Sequence, residues 1–157
     1  MNVIAMEPPR DAGRWLAGAQ FADAFGVTVD DATLDARHAA ERAFGRSPRW
    51  VEALLSLRDM IMAPFGVTTS TSVRDSSANR IGIFPVISET PERVVAGFDD
   101  RHLDFRVLID VAPSGSGQRV TATTLVLTHN WLGRIYLTVI LPFHRLVARA
   151  MLRQVAD

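Results

Sequence analysis

The sequence has 157 residues, of which 48% are hydrophobic and 22% charged, and this suits one globular domain with a substantial core. Seventeen basic residues, all of them arginine, balance seventeen acidic residues, so no global positive field indicates nucleic-acid binding and no lysine is present for Schiff-base chemistry. The absence of cysteine excludes disulfides, a thiol nucleophile and cysteine-based zinc sites.

The first residues of the chain show no regular period. Pro8, Pro9 and Gly13 fall within residues 1–18, which we expect to be a loosely ordered leader before a single domain at residues 19–157. A signal-peptide pattern is lacking, and the longest apolar run, near residues 135–143, is shorter than a bilayer-spanning helix requires. We therefore expect a cytoplasmic protein without a membrane span.

The next segment predicts one strand and one helix. Large residues alternate with small ones from Phe21 to Val29, which is typical of a strand, although Asp23 interrupts the row of large side chains. A helix over residues 34–44 follows, with N-cap oxygens offered by Asp30, Asp31 and Thr33.

A second helix is predicted from Ser47 and Pro48 to about Met62, since a capping hydroxyl followed by proline favours a helix start. The polar residues 68–80 after it predict a loop or an exposed edge strand. If the protein has a ligand cavity, this loop is our candidate for its gate.

Four strands are predicted in the second half, at residues 81–88, 93–98, 102–111 and 119–129. The third strand has the clearest period, because Leu103, Phe105, Val107, Ile109 and Val111 alternate with polar or charged residues over most of its length. One face of this strand must therefore lie on a core.

A long helix is predicted after Asn130 and runs to the C-terminus. Its residues 135–141 are apolar on nearly all sides, so we expect them to be deeply enclosed, and Pro142 predicts a kink. One strand, two helices, a run of antiparallel strands and a terminal helix indicate an α+β fold. We predict a helix-grip arrangement, in which a curved antiparallel sheet wraps around the C-terminal helix.

Two polar groups are candidate sites. Asp100, His102, Asp104 and Arg106 share one face of a continuous strand, where they form either a cross-strand ladder of ion pairs, a polar pocket, a partner surface or, least favoured because of the arginine, a metal site. His129 and His144 are the candidates for a general base that would need an acidic partner. We expect no metal and no cofactor.

Several short segments together resemble a known bacterial family. They are Phe-Ala-Asp-Ala-Phe at 21–25, Pro-Arg-Trp-Val at 48–51, Leu-Arg-Asp at 57–59, Gly-Ile-Phe-Pro at 82–85, Asp-Asp-Arg-His-Leu-Asp-Phe-Arg at 99–106, Gly-Arg-Ile-Tyr-Leu at 133–137 and Pro-Phe-His-Arg at 142–145. The chain resembles the domain-of-unknown-function family 2867 over about residues 19–156. The resemblance implies a START-like (SRPBCC) helix-grip fold, and it implies no catalytic residues.

Incomplete contact between sheet and helix in such a fold leaves a cavity for a small, largely apolar ligand. The residues predicted to line it are Phe84, Phe98, Phe105, Thr124, Tyr136, Ile140 and Phe143. Ligand binding is the first hypothesis for the function. An enzyme of the cyclase or hydratase type, using His129 or His144, is the second. A non-catalytic protein-interaction module is the third, and a homodimer is compatible with each of them.

Overall fold

The computed structural model describes residues 2–65, 79–82 and 84–157. It contains a seven-stranded antiparallel sheet in the order β1-β2-β7-β6-β5-β4-β3. The strands are β1 (Ile4–Met6), β2 (Phe21–Val29), β3 (Arg80–Ile81), β4 (Phe84–Glu89), β5 (Arg93–Asp99), β6 (Leu103–Ser114) and β7 (Gly117–Thr128). The helices are α1 (Ala36–Phe44), α2 (Arg49–Met62) and α3 (Trp131–Ala156). The predicted α+β, helix-grip arrangement is confirmed.

The β6–β7 hairpin forms the centre of the sheet. Its register runs from the Leu103–Thr128 pair to Ser114–Gly117, and Gly115 takes the positive φ of 60° that the tight turn requires. Val107, Ile109 and Val111 lie on the core face, as their alternation predicts.

Helix α3 crosses the core face of the sheet and packs on β2, β7 and α1. The helix begins at Asn130, whose side chain accepts a hydrogen bond of 2.9 Å from the Gly133 amide. Gly133 lies so close to the His102 carbonyl that a Cβ atom there would stand 2.1 Å from that oxygen. The helix continues through Pro142, and its last turns bury Met151, Leu152 and Val155.

The first half of α3 differs from the expectation. Residues 135–141 were predicted to be deeply enclosed, yet Val139 is 62% exposed and Ile135 is 52% exposed. The sheet covers only one side of this half, so the opposite side of an all-round apolar segment faces outward. By length and composition α3 is the one helix in the described part of the chain that could cross a membrane.

The N-terminal segment, predicted to be a loosely ordered leader, packs against the sheet. Strand β1 pairs with β2, and Ala12 and Leu16 pack over the outer face of the sheet with Val95, Leu108 and Leu125. An ion-pair cluster fixes this segment to the sheet. Arg93 on β5 forms an ion pair with Asp110 on β6. The Nη1 atom of Arg93 also lies 2.7 Å from Asp11 Oδ2 in the N-terminal segment. These contacts come from residues far apart in sequence, so no local pattern predicted them.

Two helix starts also differ from the prediction. Helix α1 begins after Asp35, whose Oδ1 accepts the His38 amide at 2.8 Å, rather than after Asp30, Asp31 or Thr33. Helix α2 has Pro48 as its N-cap, one residue later than the predicted Ser47, and makes no side-chain cap bond. The strand predicted at residues 81–88 is divided between β3 and β4. Of the proposed gate at 68–80, residues 68–78 lie outside the described residues.

Candidate functional site

A cavity of about 640 Å³ lies between the core face of the sheet and the second half of α3, with α2 and the end of α1 as further walls. The sheet contributes Phe84 from β4, Phe105 and Val107 from β6, and Ala122 and Thr124 from β7. Helix α3 contributes His144, Val147, Ala148, Met151 and Leu152. Helix α2 and the turn before it contribute Arg46, Ser47, Val51, Glu52 and Leu55, and the remaining lining residues are Ala43, Phe44, Gly45 and Gly82.

A cluster of phenylalanine rings forms the floor of the cavity. The ring of Phe84 lies 5.2 Å from that of Phe105 and 5.9 Å from that of Phe44, in the tilted and edge-on arrangements that aromatic pairs favour. Phe98 stacks on Phe84 with 6.4 Å between the ring centroids, and its ring is tilted against that of Phe105 at 5.8 Å. The floor is therefore an aromatic, apolar surface.

His144 is the principal polar group on the helix side of the cavity, and its partner is Asp23 on β2. Both carboxylate oxygens of Asp23 lie 3.2 Å from His144 Nε2, and the hydrogen-bond geometry favours Oδ1, while Oδ2 is shielded from solvent. An ionised carboxylate only accepts hydrogen bonds, so the tautomer that pairs with an ionised Asp23 carries its proton on Nε2. In the neutral ring, Nδ1 is then the acceptor.

Asp23 was not among the predicted site residues, although the sequence contained a signal for it. The residue lies directly opposite Thr124 of β7, a cavity residue, and on the face of β2 that otherwise carries Phe25 and Val27 in the core. A single carboxylate within an apolar row requires a polar partner, because burying an unpaired charge is costly. The interruption of the alternation at Asp23 marked this position.

Three of the seven predicted ligand-binding residues line the cavity: Phe84, Phe105 and Thr124. Phe98 supports the floor without lining it. Tyr136, Ile140 and Phe143 do not line it, because the cavity lies against residues 144–152 of α3 and not against the first half of that helix. The sheet side of the site could thus be predicted better than the helix side.

Tyr136 instead links α3 to α2. Its hydroxyl accepts a hydrogen bond of 2.7 Å from Arg58 Nε, and the guanidinium also lies 5.2 Å from the centre of the Tyr136 ring. Burial by itself would lower the pKa of Arg58, but the oxygens of Tyr136 and Asp59 outweigh it and hold the pKa above its ordinary value. This contact fixes the α2 wall of the cavity in place.

The polar row does not form one site. Asp100 and His102 precede β6 in the turn, where Asn130 Nδ2 lies 3.0 Å from His102 Nδ1. Asp104 pairs with His129, with 2.8 Å between Oδ1 and Nε2, and Arg106 pairs with Asp99 at 2.7 Å. These two pairs connect neighbouring strands. Within residues 2–65, 79–82 and 84–157, no group of three or more His, Asp or Glu side chains is arranged to hold a metal ion.

His129 and His144 thus each have an acidic partner, but only His144 lines the cavity. His129 lies directly after the end of β7, with 39% of its side chain exposed. The structure separates the two candidate bases: His129 is a surface residue paired with Asp104, and His144 lines the cavity.

A sheet that holds a long C-terminal helix over an apolar cavity defines the class of the molecule as an α+β helix-grip domain. The chain belongs to the family described as Protein of unknown function (DUF2867), whose model matches residues 15–151. The comparison with curated proteins found no match.

Proposed function

We propose that the protein binds a small, largely apolar molecule in the cavity between the sheet and α3. The observation that carries this proposal is the cavity itself, since its volume of about 640 Å³ falls within the range of roughly 300–1,000 Å³ usual for ligand pockets. Its phenylalanine floor suits an apolar body, and His144 with Thr124 offers hydrogen bonds to a single polar group. A ligand with one polar end and an apolar remainder fits both features.

Native mass spectrometry of freshly purified protein, compared with the denatured mass, tests the proposal. We expect an excess mass that is lost on denaturation, or a one-to-one adduct after addition of dodecanoate as a probe. Ala148→Phe places a bulky ring in the cavity and should abolish the adduct. Ala53→Phe, an exposed position on α2 that does not line the cavity, is the matched control.

The proposal is refuted if neither the wild-type protein nor its dodecanoate mixture shows a specific adduct. It is also refuted if Ala148→Phe retains the adduct while remaining folded by circular dichroism. A loss of the adduct in Ala53→Phe alone would move the binding site to the outer surface of α2.

A second candidate function is proton transfer to or from the bound ligand, with His144 as the base. The observation that favours it is the 3.2 Å contact between His144 Nε2 and Asp23, which orients the imidazole at the cavity wall. The bound ligand should then exchange an acidic C–H for deuterium in D2O when held by the wild-type protein. The exchange should stop in His144→Gln, whereas equal exchange in both proteins leaves binding as the function.

A further inference from the structure

Exposed apolar side chains are concentrated on two helices. The described residues include ten large hydrophobic residues that are exposed, and eight of them lie on α2 and α3. They are Trp50, Leu57 and Met60 on α2, and Trp131, Ile135, Val139, Phe143 and Leu146 on α3. Singly exposed hydrophobic residues are ordinary on protein surfaces, but a concentration of this kind indicates an interaction surface.

The five residues on α3 form one stripe. Trp131, Ile135, Val139 and Phe143 follow each other at intervals of four, and Leu146 comes three residues later, so all five point to the same side of the helix. At 1.5 Å per residue the stripe is about 22 Å long. Trp131 at its first end is 67% exposed, and tryptophan is the residue type enriched at membrane–water interfaces.

The charge on α3 is of one sign. The helix contains Arg134, Arg145, Arg149 and Arg153 and no acidic residue, although the whole chain has a formal net charge of zero. Arg134 and Arg145 are exposed beside the stripe, and Arg153 is exposed where the stripe would continue. An apolar stripe bordered by arginine is the pattern by which a helix lies in the interface of an anionic bilayer.

The buried residues in the second half of α3 determine whether the helix can span a membrane or only lie on its surface. Met151, Leu152 and Val155 are buried, and Leu152 and Val155 belong to the main core, so a membrane-spanning position would remove them from the sheet. Docking by the outward stripe leaves the core intact. The arginines also disfavour a second copy on this face, because two α3 helices in contact would bring arginines together without a carboxylate from either helix.

We propose that the outward face of α3 forms a docking surface for anionic lipid bilayers. The helix lies flat on the membrane with its apolar stripe in the headgroup region, and its arginines contact lipid phosphates and carboxylates. The sheet remains on the side away from the lipid.

Flotation of the full-length protein with lipid vesicles tests the proposal. We expect binding to vesicles of phosphatidylcholine mixed with phosphatidylserine, and much weaker binding to phosphatidylcholine alone. The double variant Val139→Ser/Leu146→Ser should weaken binding by about tenfold or more. Arg145→Glu should weaken binding to the anionic vesicles by roughly tenfold and leave binding to the neutral ones nearly unchanged.

Ile87→Ser is the matched control, since Ile87 is 47% exposed but lies on β4. It should bind vesicles like the wild type. All of these side chains are exposed, so thermal unfolding should show folded proteins of similar stability. The proposal is overturned if anionic vesicles do not bind the wild type or if Ile87→Ser weakens binding as much as the double variant. A solution dimer that the double variant converts to monomer would instead assign the stripe to a second copy.

Discussion

Asp23 on β2 and His144 on α3 meet at 3.2 Å across the space between the sheet and the C-terminal helix. The residues are 121 positions apart in sequence, and each side chain is 19% exposed. This contact ties the middle of α3 to the sheet next to the cavity. It therefore contributes to stability as well as to the polarity of the site.

The first prediction concerns this pair. His144→Leu leaves the partly buried carboxylate of Asp23 without its partner, and the free energy of unfolding should fall by about 1–3 kcal/mol in urea titrations. The double variant Asp23→Leu/His144→Leu removes both polar groups and should recover part of that loss. A double variant that is less stable than His144→Leu would contradict a structural pairing.

Gly133 provides the second prediction. Because a Cβ atom there would stand 2.1 Å from the His102 carbonyl, Gly133→Ala must displace the start of α3 or the turn before β6. We expect a loss of about 1–3 kcal/mol in the free energy of unfolding. Gly13→Ala is the control, since a Cβ atom at Gly13 meets no neighbour within 4 Å. Equal stability of the two variants would show that the start of α3 can move without lowering the free energy of unfolding.

The third prediction concerns the attachment of α2. Tyr136→Phe removes the acceptor of Arg58 Nε, and the loss of a hydrogen bond to a charged group should cost about 1.5–3 kcal/mol. Amide hydrogen exchange in α2 should accelerate more than exchange in β6 and β7. Thr138→Val removes an exposed hydroxyl from the same helix. It should change neither the free energy of unfolding nor the amide exchange rates of α2 appreciably. Unchanged exchange in Tyr136→Phe would mean that other contacts hold α2.

The fourth prediction is a dependence on pH. The hydrogen bond from Arg93 holds the pKa of Asp11 below its ordinary value of 3.8, and the Arg93 charge acts in the same direction. A carboxyl whose pKa is lowered by folding stabilises the fold above its unfolded pKa, and that stabilisation disappears as the pH falls through the folded pKa. The N-terminal segment should therefore loosen in acid, at pH values below about 3.8.

Asp11→Asn removes the titrating group, so the mutant should lose less stability between neutral and acidic pH than the wild type. The measurement is the free energy of unfolding as a function of pH, with hydrogen exchange at Leu16 as the local reporter. Glu7→Gln, an exposed change in the same segment, should follow the wild-type curve. An Asp11→Asn curve parallel to the wild type would exclude this ion pair as the acid-sensitive contact.

The features of the fold that the sequence predicted correctly depend on local signals. The alternation of Val107, Ile109 and Val111 depends only on the period of a strand, and it predicted the core face of β6 correctly. Asn130 was likewise predictable as the residue before the last helix, because capping is a local interaction. The fold class followed from the order of such elements.

The features that were missed depend on distant parts of the chain. The apolar residues on all sides of Val139 predicted enclosure, but only the sheet determines which side is covered. The burial of Leu108, on the otherwise polar face of β6, depends on Ala12 and Leu16, nearly a hundred positions earlier. The position of the cavity along α3 depends on where α1 and α2 meet that helix, and no period in the sequence contains this information.

Strand β1 has a consequence for the behaviour of the protein at high concentration. Without it, the nine-residue strand β2 would be an open edge of the sheet, and open edges recruit strands from other molecules. Three residues, Ile4–Met6, occupy the middle of that edge opposite Ala24, Phe25 and Gly26. A chain shortened to the family boundary at residue 15 would lose this protection, so it should aggregate through β2 more readily than the full chain.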